Sequence, residues 1–258
     1  MTSLINMESV INFINNIPAE DFPKSIILFG ETGSGRRTVC KYIAEKLDSE
    51  LREVKDLNDI YEVVTPTLFV IDYNKLRDGG IQSLLKAVEE PPKMCRVAII
   101  SESENTTIDT IRNRCVPITI PKYSISDLLH FTDSETVARF CKTPGMAMTV
   151  TEDAINNVTE CCDMIITKMH LASLSNALTL TDKFDTGNDD GNKINIPLFC
   201  RVMPAIAEKY YINKVLTFVQ LRVIMSETEE LRQDMQNPSY NKKQLFDGYI
   251  VALKGILR

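Results

Sequence analysis

Positions 30 to 38 read Gly-Glu-Thr-Gly-Ser-Gly-Arg-Arg-Thr, a glycine spacing suited to holding phosphate. In the G-x-x-x-x-G-K-[ST] loop, glycines let backbone N–H groups surround phosphates, the lysine reaches the terminal phosphates and the adjoining hydroxyl holds Mg²⁺. Here Gly30, Gly33 and Gly35 keep the backbone part, with Ser34 between the last two. Arg36 stands in the lysine position, Arg37 in the hydroxyl position, and Thr38 falls one residue late. Arginine keeps the charge, but its planar fork is larger and differently directed than an ammonium, so the exchange is not conservative at a tight site. Taken alone, these residues fit a degenerate phosphate loop and an ordinary βα turn equally well.

The flanking pattern places the loop where such a motif belongs. Ser25–Phe29 is a short apolar run that reads as a buried parallel strand, and Arg37–Leu47 reads as a helix with Val39, Ile43 and Leu47 on one face. Before them, Val10, Ile11, Ile14 and Ile17 recur at helical spacing until Pro18. After them, Leu51–Val54 reads as a second strand, and Asp56 as the N-cap of a helix through Val64. Thr67–Ile71 is a third apolar run, closed by Asp72. Gly79 and Gly80 precede a helix that runs to Glu90 and stops at Pro91-Pro92, since proline cannot continue it. Arg96–Ile100 and Val116–Ile120 complete a set of strands alternating with helices, which predicts a parallel sheet covered on both faces.

Past Pro121 the pattern changes. Ser126–Phe131 and Ser134–Cys141 are short amphipathic stretches, followed by a turn at Thr143-Pro144-Gly145. From Glu152 onward the patterns are helical, interrupted by an acidic stretch, Asp185–Asn192. That stretch fails as an EF-hand loop, because Thr186 and Pro197 stand where Asp and Glu are required, and reads as a solvated loop. The last segment gathers Leu245, Phe246, Tyr249, Ile250, Leu253, Ile256 and Leu257 on a wide helical face that must be buried, in this chain or against a partner.

Composition narrows the function classes. At 258 residues, 44% hydrophobic and 25% charged, the chain can bury a sizeable core. Its net charge of −6 argues against a general electrostatic grip on nucleic acid. The seven cysteines are scattered with no C-x-x-C pair, which points to reduced thiols in a cytoplasmic setting rather than zinc or disulfides. His130 and His170 read as surface or packing residues. No apolar run approaches the ~18 residues of a membrane span, and the first residues lack a basic leader, so neither secretion nor membrane insertion is expected.

The segment Leu84-Leu-Lys-Ala-Val-Glu-Glu-Pro-Pro92, followed by Thr110-Ile-Arg-Asn-Arg-Cys115, resembles the clamp-loader subunits of DNA replication, members of the AAA+ superfamily. In that family a Leu-Leu-Lys-x-Leu-Glu-Glu-Pro-Pro helix end is followed, after one strand, by Thr-Ile-Arg-Ser-Arg-Cys; Val88 and Asn113 are the notable departures. The glycine loop and Leu68–Asp72 fall where the family's Walker A and Walker B segments lie, and Thr143–Ala147 looks like its lid motif. More loosely, Glu229–Arg232, Asn241 and Leu245–Tyr249 are similar to its collar domain. About thirty residues separate the Walker segments, leaving no room for the four-cysteine zinc module of many bacterial members.

The resemblance implies an α/β plus all-α fold: an AAA+ parallel-sheet domain over 1–121, a small helical lid over 122–153 and a helical collar, the oligomerisation domain, over 154–258. It also implies a division of labour, because clamp loaders bind ATP at seams where one subunit supplies loop and acid and its neighbour an arginine finger. On the receiving side, Arg36 and Arg37 replace the lysine and hydroxyl, Tyr73 replaces the water-activating glutamate, and Gly145 stands in place of the lid arginine. Asp72 remains for Mg²⁺, and Ser101 sits near the sensor position. On the donating side, Arg114 holds the finger position, with Arg112 as a candidate support; the other reading of Arg114 is a surface ion pair.

This asymmetry is similar to the δ′, or stator, type of subunit. It implies ATP or ADP held, if at all, without hydrolysis, with Mg²⁺ accompanying the nucleotide and no zinc. The implied partners are the other subunits of a five-membered ring, the sliding clamp and, through the complex, primer-template DNA, with no membrane. The competing reading is a divergent motor ATPase of a reduced, viral-type loader, in which Arg36 serves as the lysine and Thr38 reaches Mg²⁺. Glu89 and Glu90 close a helix where negative charge opposes the dipole, so some partner is expected there.

Overall fold

A computed structural model describes residues 4–54, 56–76, 78–179, 182, 184, 194–235 and 240–257. Two compact units divide the chain, Met1–Thr149 and Val150–Arg258. The acidic stretch 185–192 lies outside the described residues.

The first unit opens with α1 (Glu8–Asn16), β1 (Ser25–Phe29), α2 (Arg36–Lys46) and β2 (Glu50–Glu53). It continues through β3 (Thr67–Asp72), α3 (Asp78–Glu89), β4 (Cys95–Ser101), α4 (Asp109–Arg112) and β5 (Val116–Thr119). The strands form one five-stranded sheet in the order β2-β3-β4-β1-β5, with every pairing parallel. Alternate residues of β1 explain why it sits in the interior. Ile26 and Leu28 pack with Val10, Ile14, Val39 and Ile43 of α1 and α2, while Ile27 and Phe29 pack with Leu84, Ala87, Val88 and Ile111 of α3 and α4. A strand apolar on both faces is stable only between two helical layers, which a period of two side chains delivers. By contrast β2 is exposed along its length and carries Glu50, Arg52 and Glu53 at the sheet edge, the charged edge that discourages pairing with another chain.

Several boundaries differ from the sequence expectation for physical reasons. Asp56 does cap, accepting from the Asn58 N–H, but the element it caps is a short 3-10 turn, Leu57–Tyr61, rather than a helix to Val64. Only Ile60 of that turn is buried, so no apolar stripe supports further turns. Gly79 and Gly80 lie inside the first turn of α3, whose start is set by the packing of Leu84, Ala87 and Val88. Next, α5 (Ile125–Leu128) begins one residue early because Ser124 and Asp127 form a reciprocal capping box. Ser134 caps α6 (Glu135–Phe140). Pro144 and Gly145 open α7 (Pro144–Thr149) instead of forming an isolated turn, proline being suited to a first helical position.

The second unit is helical: α8 (Glu152–Lys168), α9 (Leu174–Leu178), α10 (Ile196–Ile212), α11 (Phe218–Asp234) and α12 (Lys242–Ile256). Phe199 and Phe246 close on Phe184 with ring centroids 5.1 and 4.0 Å away. Tyr249 shares a 2.9 Å hydrogen bond with the Thr228 hydroxyl, which itself donates to the Ile224 carbonyl at 2.6 Å. Phe246, Tyr249, Ile250, Leu253 and Leu257 are buried within the chain, so the wide apolar face is covered largely by its own unit. Asn241 caps α12, accepting from the Lys243 and Gln244 N–H groups. The fold is thus the expected α/β plus all-α class: a parallel-sheet unit followed by a helical C-terminal unit. Among the described residues no helix is long and apolar enough to cross a membrane.

All seven cysteines are buried thiols rather than disulfides. Burial pushes the Cys40, Cys115 and Cys200 thiols up to about 12, far from the thiolate form that reacts. A colourimetric thiol reagent at pH ~8 should therefore titrate almost none of these thiols in the native protein, and all seven once denaturant is added.

Candidate functional site

Parallel pairing brings the chemistry to one edge of the sheet. Phe29 of β1 lies opposite Ser101 of β4, and Asp72 of β3 lies opposite Ile100. The strand ends carrying Gly30, Asp72 and Ser101 therefore emerge side by side, at the carboxyl edge where open α/β sheets bind ligands. The Gly30 N–H donates to the Ser101 carbonyl at 3.1 Å, fastening the start of the loop. Buried Ser101 also accepts from the Thr107 hydroxyl at 2.9 Å. Tyr73 accepts from the Ile108 N–H at 3.4 Å, so the ring that replaces the expected glutamate braces the neighbouring segment.

The loop itself has phosphate-cradle geometry. Gly33 and Gly35 take φ values of 83° and 95°, left-handed conformations that favour glycine. Gly35 is the N-cap of α2 and, having no side chain, makes no capping bond. The first N–H groups of α2 consequently lack intrahelical partners at its positive end, an arrangement suited to an anion. Ser34 and Arg36 are buried at 4% and 6% exposure, and Ser34 Oγ and Arg36 Nη1 find no hydrogen-bond partner. Arg36 Nη2 donates weakly to the Thr32 hydroxyl at 3.4 Å. Burial lowers the Arg36 pKa, with Glu102 and Asp72 pulling it back less strongly.

Arg37 behaves differently. Its Nε donates to Glu53 at 2.7 Å and its Nη2 to Asp72 at 3.4 Å, and the bond to Glu53 raises its pKa. Asp72 also lies 3.8 Å from Lys75 Nζ. The carboxylate expected to hold Mg²⁺ is thus already matched by a guanidinium issuing from the position of the missing hydroxyl. Mg²⁺ fits poorly beside that cation, whereas the unpartnered donors of Ser34, Arg36 and α2 fit phosphate. Thr38 is half-buried on the first turn of α2.

The lid motif closes on the loop tip through backbone. The Gly145 N–H donates to the Gly33 carbonyl at 2.9 Å, and the Thr143 hydroxyl donates to the Thr32 carbonyl at 3.1 Å. A Cβ on Gly145 would lie 2.8 Å from Gly33 Cα. A side chain there, the expected lid arginine included, is excluded by contact as well as absent from the sequence. The Tyr123 hydroxyl, donating to the Ser34 carbonyl at 2.9 Å, holds the other side of the loop.

Arg114 lies just beyond α4. Its Nε is 2.5 Å from Glu89 at the end of α3, and its Nη1 donates to the Thr110 carbonyl at 2.6 Å. Glu89 thereby finds the cation that its helix end required. Both side chains are exposed, at 40% and 47%, so the pair contributes about 0–1 kcal/mol and is easily exchanged for another partner. Arg112 is tied locally, to Asp109 and to the Glu104 carbonyl. Sequence reading had no signal for Glu53, Glu102, Tyr123 or the loop contact of Thr143, whose roles come from long-range pairings.

With this geometry in view, comparison with known proteins adds a family. Residues 61–124, about a quarter of the chain, match the family model described as DNA polymerase III, delta subunit. Over that segment, which holds Asp72, the Glu-Glu-Pro-Pro turn and Arg114, the chain is similar to clamp-loader subunits. No curated protein sequence gives a significant match. Among solved structures, a gamma subunit-related protein of DNA polymerase III from Thermotoga maritima is 13% identical, with 98% of this chain and 100% of that one covered and a TM-score of 0.48. The Thermotoga maritima RuvB Holliday junction branch migration motor is also 13% identical, over 88% of this chain and 78% of that one, with a TM-score of 0.46.

Replacing Gly145 by alanine should push the lid segment off Gly33, at a cost of about 1–3 kcal/mol. Thermal melting should show a lowered Tm, by ~2–4 °C per kcal/mol in a chain of this size. Gly248→Ala, whose Cβ would meet nothing within 4 Å, should instead leave the Tm unchanged or raise it.

Proposed function

We propose that this chain is a non-hydrolysing subunit of a DNA polymerase III-type clamp loader, of the δ′ or stator kind. In this reading it completes a neighbouring subunit's ATP site with Arg114 while its own site stays silent. The observation that carries the reading is the contrast between the two sides. The receiving site is internally neutralised, with Arg37 on Asp72, a tyrosine in place of the glutamate and a Gly33–Gly145 contact in place of a lid arginine. The donating residue is exposed and held by a surface ion pair with Glu89 and a hydrogen bond to the Thr110 carbonyl. Loss of one preorganised catalytic group typically costs ~10²–10³ in rate, so several such losses leave intrinsic hydrolysis near background. An arginine finger delivered across an interface accelerates phosphoryl transfer by roughly 10³–10⁵ in other systems. In the assembled ring the partners would be the motor subunits, the sliding clamp and primed DNA.

The motor-ATPase alternative requires Asp72 and Thr38 to share Mg²⁺, and the pairing of Asp72 with Arg37 and Lys75 weighs against it.

The purified chain should show no ATP turnover above background, whereas its complex with the motor subunit should turn over ATP in a DNA-stimulated manner. Arg114→Ala in this chain should lower that turnover by at least about a hundredfold, and Glu89→Gln should leave it within a few-fold. Turnover by the isolated chain that disappears in Asp72→Ala would falsify the stator assignment. Equal turnover of the complex with and without Arg114 would remove the finger.

A further inference from the structure

We propose that the Gly30–Arg37 loop binds the phosphate chain of a nucleotide without a divalent metal, the Arg37 guanidinium standing in the metal's place. The inference concerns only this chain's own loop and does not depend on Arg114 or on ring assembly.

Three independent features lead to it. First, α2 places Arg36 and Arg37 in its first turn, with no acidic residue there and no side-chain cap. Two cations at the positive end of a helix dipole are unfavourable without compensating negative charge. Second, that compensation takes the form of ion pairs at Arg37 and only of attraction without direct contact at Arg36. Arg37 has Glu53 and Asp72, and Glu102, the strongest carboxylate influence on Arg36, takes its bond from the Thr32 hydroxyl at 2.7 Å instead. Arg36 is buried, makes no ion pair among the described residues, and leaves Nη1 without an acceptor. A buried guanidinium without a direct ion pair is costly, and phosphate is the anion its fork matches. Third, Ser34 Oγ is buried and unpartnered and lies against Gly30 at the start of the loop. The available donors are therefore a hydroxyl, a guanidinium N–H and the free N–H groups of α2, all of which favour phosphate oxygens.

Metal independence comes from charge. In a working loop the hydroxyl after the lysine holds Mg²⁺. Here that position delivers a fixed positive charge to Asp72, so a second, divalent cation at the same carboxylate would meet repulsion. Glu53, Asp72 and Glu102 face Arg36, Arg37 and Lys75, so the side-chain charges balance and the positive helix end, with the unmet Arg36 donor, attracts the ligand.

Titration calorimetry on the full chain tests the proposal, with ADP, pyrophosphate and adenosine as probes, each in EDTA and in Mg²⁺. Saturable binding of ADP and pyrophosphate in EDTA is expected, with no tightening by Mg²⁺ and no binding of adenosine. Tighter ADP than pyrophosphate would mark a nucleotide as the source of the phosphate chain, and the reverse order an inorganic polyphosphate. Arg36→Gln should weaken binding about tenfold or more, the effect of removing one charge-assisted hydrogen bond. Should that variant fail to fold by circular dichroism, Ser34→Ala should weaken binding about threefold to tenfold in its place. Arg37→Ser should make binding Mg²⁺-dependent. Binding that requires Mg²⁺ in the unaltered chain, or no saturable heat with either phosphate probe at millimolar concentration, would overturn the proposal. Either result would leave the Arg114 assay on the complex unaffected.

Discussion

The first unit depends on burying β1 from both sides. Its five residues are all buried, and with one helical layer against Ile26 and Leu28 and another against Ile27 and Phe29, the strand has no freedom to slip. A shift of one residue would exchange its two faces and disturb both layers at once. That rigidity reaches the loop because the chain leaves the sheet directly from Phe29 into Gly30, whose N–H is fastened to β4. The position of every candidate side chain depends on this anchoring: β3 delivers Asp72, β4 delivers Ser101 and Glu102, and α2 begins where the loop ends.

On that frame the loop replaces a metal-centred site with a side-chain ion network. Arg37, Glu53, Asp72 and Lys75 neutralise one another at the surface, where such pairs contribute modestly to stability. Arg36 carries the larger unfavourable term, since its charge is desolvated and one of its donors is unmet. Lid residues Thr143 and Gly145 then fix the loop tip through backbone carbonyls. On the proposed reading the loop keeps the anion-holding part of a phosphate site, without the groups that would position a metal and activate water.

Arg114 shows the same economy on the opposite side. Glu89 ends α3 against the helix dipole, and Arg114 lies just past α4 with its guanidinium available; their ion pair satisfies both without burying either. For the proposed role across an interface, Arg114 would have to be held in place yet remain releasable, and a half-exposed pair meets both conditions. The neighbouring Arg112 is bonded within its own turn, to Asp109, and to the Glu104 carbonyl.

The sequence alone determined the alternating strands and helices, because apolar period and proline or glycine punctuation are local properties. It likewise placed the glycine loop, Tyr73 and Arg114 in the expected site, because these are matters of residue type at fixed spacing. Helix starts at Asp78, Ile125 and Pro144 were less legible, since packing and capping partners shift an end by a residue or more at little cost. Only the tertiary structure decided what the substituted residues do. Arg36 and Arg37 are adjacent and chemically identical in the sequence. One is buried with a donor unmet and no direct ion pair among the described residues, and the other reaches Glu53 and Asp72, sixteen and thirty-five residues away. Electrostatic roles depend on distance and burial, and the sheet register sets both.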